Sequence, residues 1–377
     1  MKKSILLASL LVCLLAMSNV FAGRMWYYSD VLTSNGQPIT SSVNSAIGMR
    51  SNGAWPVVAY SGSSANGIAI MMPGGWAGRT PAFGGQSLDG ATAPDGTVGF
   101  VDSYGTITTL NKKGWGGGSL SSSTSSQYKN SIAFNSNSAP GVLYRSSGTN
   151  FLTLSVKSGS SWSSSAVQPT EGQAVMSDSY ALGFDSYNQA NIVYRDGDRL
   201  AYGVKGVMTN NQWQLMESPT NPIVYGGMDM AISNTDTPYV LYMSSSTTLS
   251  YSIYNRYTAS WISGILDSVT SSSSMGNFTV AADDKGGVGV AYVARYNNTN
   301  VLSYAYSDGS GWTMPDRLVT ARMECTVGLT FDYENNPVIS YVDQSTGRLK
   351  IAYDPVAVPE PATMAILALG LALIRRR

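Results

Sequence analysis

The 377-residue chain is 43% hydrophobic and 12% charged, enough apolar content for a large core and too much for a disordered tail. It contains no histidine, which excludes Ser-His-Asp and Cys-His catalysis, histidine-ligated zinc or copper, and the usual neutral-pH general base. With 39 glycines, 23 tyrosines, 8 tryptophans and few helix-favouring residues, the composition predicts an all-β fold of strands joined by tight turns.

In chain order, Lys2 and Lys3 precede an uncharged apolar run over residues 5–17, followed by Ser18-Asn19 and Val20-Phe21-Ala22 before Gly23. This predicts a signal peptide over 1–22 cut between Ala22 and Gly23, read by the general secretion machinery. The run is shorter than the roughly 20 residues that span a bilayer, and Val12 before Cys13 does not suit a lipoprotein signal. Removing this segment leaves Cys325 as the single cysteine, so no internal disulfide forms; a domain this large needs none.

From residue 24 onward the chain repeats with a period near fifty. Trp26, Trp76, Trp115, Trp162, Trp213, Trp261 and Trp312 form one series, and Tyr60, Phe100, Tyr144, Tyr194, Tyr242, Tyr292 and Tyr341 form a second in step with it. The unit is clearest at 131–162: a strand over 131–134, a turn over 135–139, a second strand from Pro140 to Tyr144, a third over 152–156 and a fourth at Trp162. Four strands per unit make a propeller blade. Turn residues recur between the first two strands, as at Asn52-Gly53, Asp95-Gly96, Asn188 and Asn335-Asn336. Pro56, Pro140, Pro238 and Pro337 open second strands, where a missing N–H is tolerated. Small residues such as Gly48, Ala133, Gly183, Ala231 and Gly328 mark the innermost strands, which crowd toward the axis. One tryptophan per blade at the same place reads as packing between blades. The seventh unit stops near Tyr353 without a tryptophan strand, whereas Trp26 precedes any inner strand. The mature N-terminus is therefore expected to supply the outer strand of the last blade and remove the exposed edge. The fold class is an all-β, seven-bladed β-propeller over residues 23–354.

Residues 355–377 end the chain with Pro359-Glu360-Pro361, an uncharged apolar run over 362–374, and Arg375-Arg376-Arg377. This ending resembles the PEP-CTERM sorting signal. The resemblance implies recognition of Pro359, Glu360 and Pro361 by an exosortase, transient residence of a short apolar helix in the membrane, and Arg375, Arg376 and Arg377 on the cytoplasmic side. It also implies export to the cell envelope, outer surface or matrix of a bacterium that makes extracellular polysaccharide. The 13 apolar residues are short for a span, so the bilayer must thin or the arginines snorkel. The repeats themselves resemble sialidase-like or lectin-like propellers. Ser307-Asp308-Gly309-Ser310-Gly311-Trp312 is similar to the Asp-box of the former, which stabilises a turn and is not catalytic.

Without Lys2, Lys3, Glu360 and the three terminal arginines, 18 basic residues face 22 acidic ones. A mildly acidic body without a basic cluster excludes sequence-independent nucleic-acid binding. Asp102, Arg145, Arg195, Asp196 and Asp343 follow the second strand of their units and are the candidate ligand-face residues. The competing reading of the same acids is local hydrogen bonding in turns. Asp283-Asp284 and Asp196 with Asp198 lack the spacing of a calcium loop, Cys325 lacks a partner base, and neither a metal nor another cofactor is called for. The expected function is a non-catalytic binding or structural module for polysaccharide or a protein partner; the alternative is a carboxylate-based glycan-cleaving enzyme.

Overall fold

The computed structural model describes residues 26–354, apart from 34, 41–42, 51–54, 63–65, 73–74, 80–82, 84, 86, 121–123, 125–128, 168–178, 197–198, 206–212, 217–226 and 270–274. The predicted signal peptide, its cut site and the sorting tail lie outside the described residues. Among those described, 28 strands form seven antiparallel four-stranded sheets.

The innermost strands are Val43–Met49, Leu88–Thr92, Ser131–Phe134, Tyr180–Phe184, Met228–Ile232, Met275–Ala282 and Gly328–Phe331. Each packs beside the next, and the seventh returns to the first, so the sheets are the blades of a closed propeller. The third blade continues through Pro140–Arg145, Leu152–Ser158 and Ser161–Ala166, in agreement with the strands read from the repeat. Second strands are buried on both sides and read as apolar runs, such as Val288–Tyr296. Outer strands carry alternating exposed positions, as in Gly75–Arg79.

In the seventh blade the sheet order is Tyr27–Asp30, Leu349–Tyr353, Pro337–Val342, Gly328–Phe331. The outermost strand is thus contributed from the start of the chain, as expected. Val31 N–H donates to the Leu349 carbonyl (2.9 Å), and Arg348 reaches the Asp30 carboxylate at 2.8 Å. The seam between the seventh and first blades is stitched on the inside as well. Thr326 Oγ1 accepts the Ser45 N–H (2.7 Å) and donates to the Ser45 carbonyl (2.9 Å), while the hydroxyls of Ser45 and Ser340 lie 3.0 Å apart.

The turns between first and second strands lie on one face of the ring and are chained to one another. Their leading residue is an acceptor: Asn135 Oδ1 takes the N–H groups of Asn137 and Ala139, Asp185 those of Tyr187 and Gln189, Asp283 those of Lys285 and Gly287, and Asp332 those of Glu334 and Asn336. Ser138, Asn188, Asp236 and Asn335 adopt positive φ between 58° and 69°. Each reaches the preceding blade, where it accepts a backbone N–H from Asp95, Ser136, Ser186 and Asp284 respectively. Because strands alternate in direction, the turns between third and fourth strands share this face, here called the turn face. The connections entering each blade, and those between second and third strands, share the opposite face.

Trp115, Trp261 and Trp312 of the tryptophan series pack between blades. The Arg79 guanidinium lies 5.0 Å from the Trp115 ring, Trp261 packs edge-on to Tyr202 of the preceding blade, and Trp312 packs on Tyr239 and Tyr251. Two of the small inner-strand residues stand where a neighbouring blade crowds in. A Cβ on Gly48 would sit 2.5 Å from Val98, and one on Gly183 2.6 Å from Ile232. These glycines make room for the next blade's side chains.

Candidate ligand funnel

On the face opposite the turn face, the beginnings of the inner strands enclose an open axial funnel of about 890 Å³ to which all seven blades contribute. Its wall mixes hydroxyls and an amide (Ser45, Ser179, Asn277, Thr326) with large apolar groups (Tyr180, Met228, Phe278, Met323). Below it the axis narrows to a space of about 250 Å³ lined by inner-strand side chains such as Ile132, Leu182, Met230 and Val280.

Three charged groups meet near the floor. Lys129, just before the third inner strand, places its ammonium 3.0 Å from Asp89 Oδ1 of the second. Asp229 belongs to the fifth inner strand and feels both charges. Burial pushes the Asp229 carboxyl above its ordinary range; Lys129 opposes that push and Asp89 adds to it. Burial would lower the Lys129 ammonium, but the two carboxylates together hold it above its usual value.

Both carboxylates are also staples between blades. Asp89 Oδ2 accepts the Ile132 N–H of the next blade (2.9 Å). Asp229 Oδ2 accepts the Thr279 hydroxyl (2.9 Å) and the Val280 N–H (3.0 Å) of the blade after it, and its Oδ1 accepts the Met230 N–H. Ser131 does the same with its hydroxyl toward Leu182 N–H (3.1 Å). A carboxylate accepting this many bonds is oriented by the scaffold, which leaves fewer lone pairs for a ligand.

Sequence reasoning did not single out Asp89, Lys129 or Asp229. A signal existed: Asp89-Gly90-Ala91 and Asp229-Met230-Ala231 place an acid inside strands otherwise made of small and apolar residues. The five residues that were singled out stand on the funnel side of the ring, at the ends of second strands, and none joins the funnel lining. Asp102 is buried in its own turn, accepting the N–H groups of Tyr104 (3.0 Å) and Thr106 (2.7 Å) on Oδ1 and of Gly85 (3.0 Å) on Oδ2. Asp343 accepts bonds from Ser345, Thr346 and Lys350; burial alone would raise it, but these donors hold it well below the usual carboxylate range. Asp196 is exposed at the end of its strand, opposite Arg199. The backbone N–H of Arg145 donates to the Tyr180 hydroxyl and that of Arg195 to the Ser179 carbonyl, both at 3.0 Å. The structure therefore spreads these residues over blades two, three, four and seven. In the similar-to-Asp-box segment, Asp308 Oδ1 accepts the N–H and hydroxyl of Ser310, a local turn on the turn face. Cys325 is buried at 2% exposure.

Residues 357–377 match the PEP-CTERM protein-sorting motif. No curated protein matches the sequence. Among solved structures, a catalytically inactive histidine-to-alanine variant of virginiamycin B lyase from Staphylococcus aureus, crystallised with quinupristin, is similar at a TM-score of 0.54 and 12% identity, over 87% of this chain and 99% of that one. AofleA from Arthrobotrys oligospora is similar at 0.52 and 13%, over 79% and 90%. YCF48 bound to D1 peptide is similar at 0.53 and 12%, over 89% and 97%. These likenesses establish the propeller fold, which hosts different activities in the different proteins. Among the described residues no helix is long and apolar enough to cross a membrane; the transmembrane expectation concerned the tail, which lies outside them.

Proposed function

We propose that this is an exported propeller, sorted by an exosortase through its tail, which acts as a non-catalytic binding module and takes extracellular polysaccharide in the axial funnel. In this reading the signal peptide is cut between Ala22 and Gly23. Pro359-Glu360-Pro361 and the three terminal arginines direct sorting to the cell surface or matrix.

The funnel is the observation that carries the reading. Its volume suits a small-molecule-sized ligand segment. Its mixture of hydroxyls, an amide and apolar side chains matches a sugar, which offers hydroxyls at its edge and C–H groups on its faces. Two further points favour recognition over cleavage. The chain has no histidine to act as a base, whereas replacing one histidine inactivates the lyase of similar fold. The floor acids are also engaged by the scaffold. One observation favours the glycan-cleaving alternative: burial raises the Asp229 carboxyl, as a general acid requires, and the charge of Asp89 adds to that rise.

The test is glycan-array binding by the protein, beside a Met323→Ser, Glu324→Gln variant at the funnel mouth and an Arg145→Ala, Arg195→Ala variant farther out on the same face. Loss of a specific signal in the funnel variant supports the proposal. Loss only in the arginine variant moves the site outward. No glycan bound by folded protein rejects polysaccharide in favour of a protein partner. Release of reducing ends from a bound glycan, abolished by Asp229→Asn, establishes the enzyme instead.

A further inference from the structure

The large apolar side chains that remain exposed are not spread evenly over the propeller. Among the described residues nine such side chains are exposed. Met72, Tyr187, Tyr257, Met314 and Tyr333 stand in or beside turns of the turn face; Tyr104 alone stands on the funnel side, and the other three lie on outer strands. Tyr257 is 99% exposed and Met314 92%. They crown a rigid platform, because the turns beneath them are chained blade to blade. Arg256, next to Tyr257, extends to the Asp185 carboxylate of the preceding blade at 2.9 Å.

The course of the chain adds an independent observation. Strand Leu349–Tyr353 runs toward the turn face, and strand Tyr27–Asp30 starts from it. After strand 349–353 and Asp354, seven residues, 355–361, precede the uncharged apolar run 362–374 of the sorting motif. Fully extended, they reach roughly 24 Å. A tail held in a bilayer by that run keeps the propeller within this distance of the lipid, on a tether that begins at the turn face.

We propose that the turn face docks on the bilayer surface while the tail is inserted, with Tyr187, Tyr257 and Tyr333 at headgroup level and Met314 beside them, so that the funnel opens away from the membrane. Tyrosine suits this layer, since its ring is apolar and its hydroxyl is wet. Exposed charges on the face balance, Lys112, Lys113 and Lys285 against Asp95, Asp284 and Asp308. The partner is therefore a phosphatidylcholine-like interface, with no requirement for anionic lipid.

The experiment uses residues 23–377, the chain left once the proposed signal peptide is cut, reconstituted in phosphatidylcholine vesicles containing a quencher-labelled lipid. A fluorophore is placed on Tyr257→Cys or, in a second variant, on Tyr104→Cys; Cys325, 2% exposed, stays unlabelled in the folded protein. The expected result is flotation of both variants with the vesicles, quenching several-fold stronger at 257 than at 104, and loss of that difference, with flotation retained, when Tyr187 and Tyr333 are also changed to Ser. Flotation with equal quenching at the two positions overturns the docking. Failure to float overturns the tail's hold on the membrane and the docking with it. A dimer whose 257 probe is shielded from both lipid and water assigns the face to a second copy and overturns the proposal. Because no glycan is present, none of these outcomes bears on the funnel.

Discussion

Glycines set how closely neighbouring blades approach. A Cβ on Gly99 would lie 2.6 Å from the Phe134 ring, one on Gly141 2.6 Å from Phe184, and one on Gly289 2.7 Å from Phe331. In each case a second-strand glycine receives the phenylalanine that ends the next blade's inner strand. Gly141→Ala should cost about 1–3 kcal/mol, the range for overpacking a filled core. Adding Phe184→Leu should recover part of the loss; urea unfolding of the single and double variants measures both. The buried Asp185 offers a second test. It accepts two turn N–H groups and the Arg256 guanidinium. Asp185→Ala should cost roughly 3 kcal/mol, as for breaking a buried pair. Asp185→Asn keeps an acceptor for the turn and should cost less in the same assay.

Between outer strands of blades five and six, Asp267 gathers Arg317, Tyr292 and Tyr296. The guanidinium contacts the carboxylate at 2.9 Å and stacks 3.9 Å from the Tyr296 ring, and Tyr292 donates to the same oxygen at 2.5 Å. Burial works against the charged carboxylate, but these donors outweigh it and hold Asp267 below its ordinary value. The folded state thus favours the ionised form. Its contribution is complete above the unfolded carboxylate value of about 3.9 and is lost as pH falls through the lower folded one. Stability should fall below about pH 4, and Asp267→Asn with Arg317→Met should flatten that slope; denaturation midpoints against pH in both proteins check it. At the seventh blade, deleting the strand Tyr27–Asp30 exposes the edge of Leu349–Tyr353, a template for pairing with another chain. The truncated protein should self-associate, seen by light scattering, whereas Arg348→Ala removes one ion pair and should leave the scattering unchanged.

For the whole molecule, the sequence made the ring legible because blade chemistry is local. Tyr144 or Tyr194 at the end of a buried second strand, Pro140 or Pro337 at its start, and an acceptor such as Asn135 leading each turn recur within one fifty-residue window. The closure was legible for the same reason, since a tryptophan strand was missing at one end and surplus at the other. The funnel was not. Ser45, Tyr180, Asn277 and Thr326 come from four blades and share no motif, and Asp229 meets the charge of Lys129 across a hundred residues of sequence. The acids that looked functional, Asp102 and Asp343, lie where turns need acceptors, and their bonds lie within their own blades or to adjacent backbone.

The seventh blade also fixes an order of events in time. Its outer strand is made first, yet its sheet partner, Leu349–Tyr353, lies some 320 residues later. Contacts this distant form late, after the loop they close has been ordered. Under the export route proposed above, a chain threaded across the membrane would complete the ring only when nearly its whole length had crossed, and it would stay unlatched for as long as transport required.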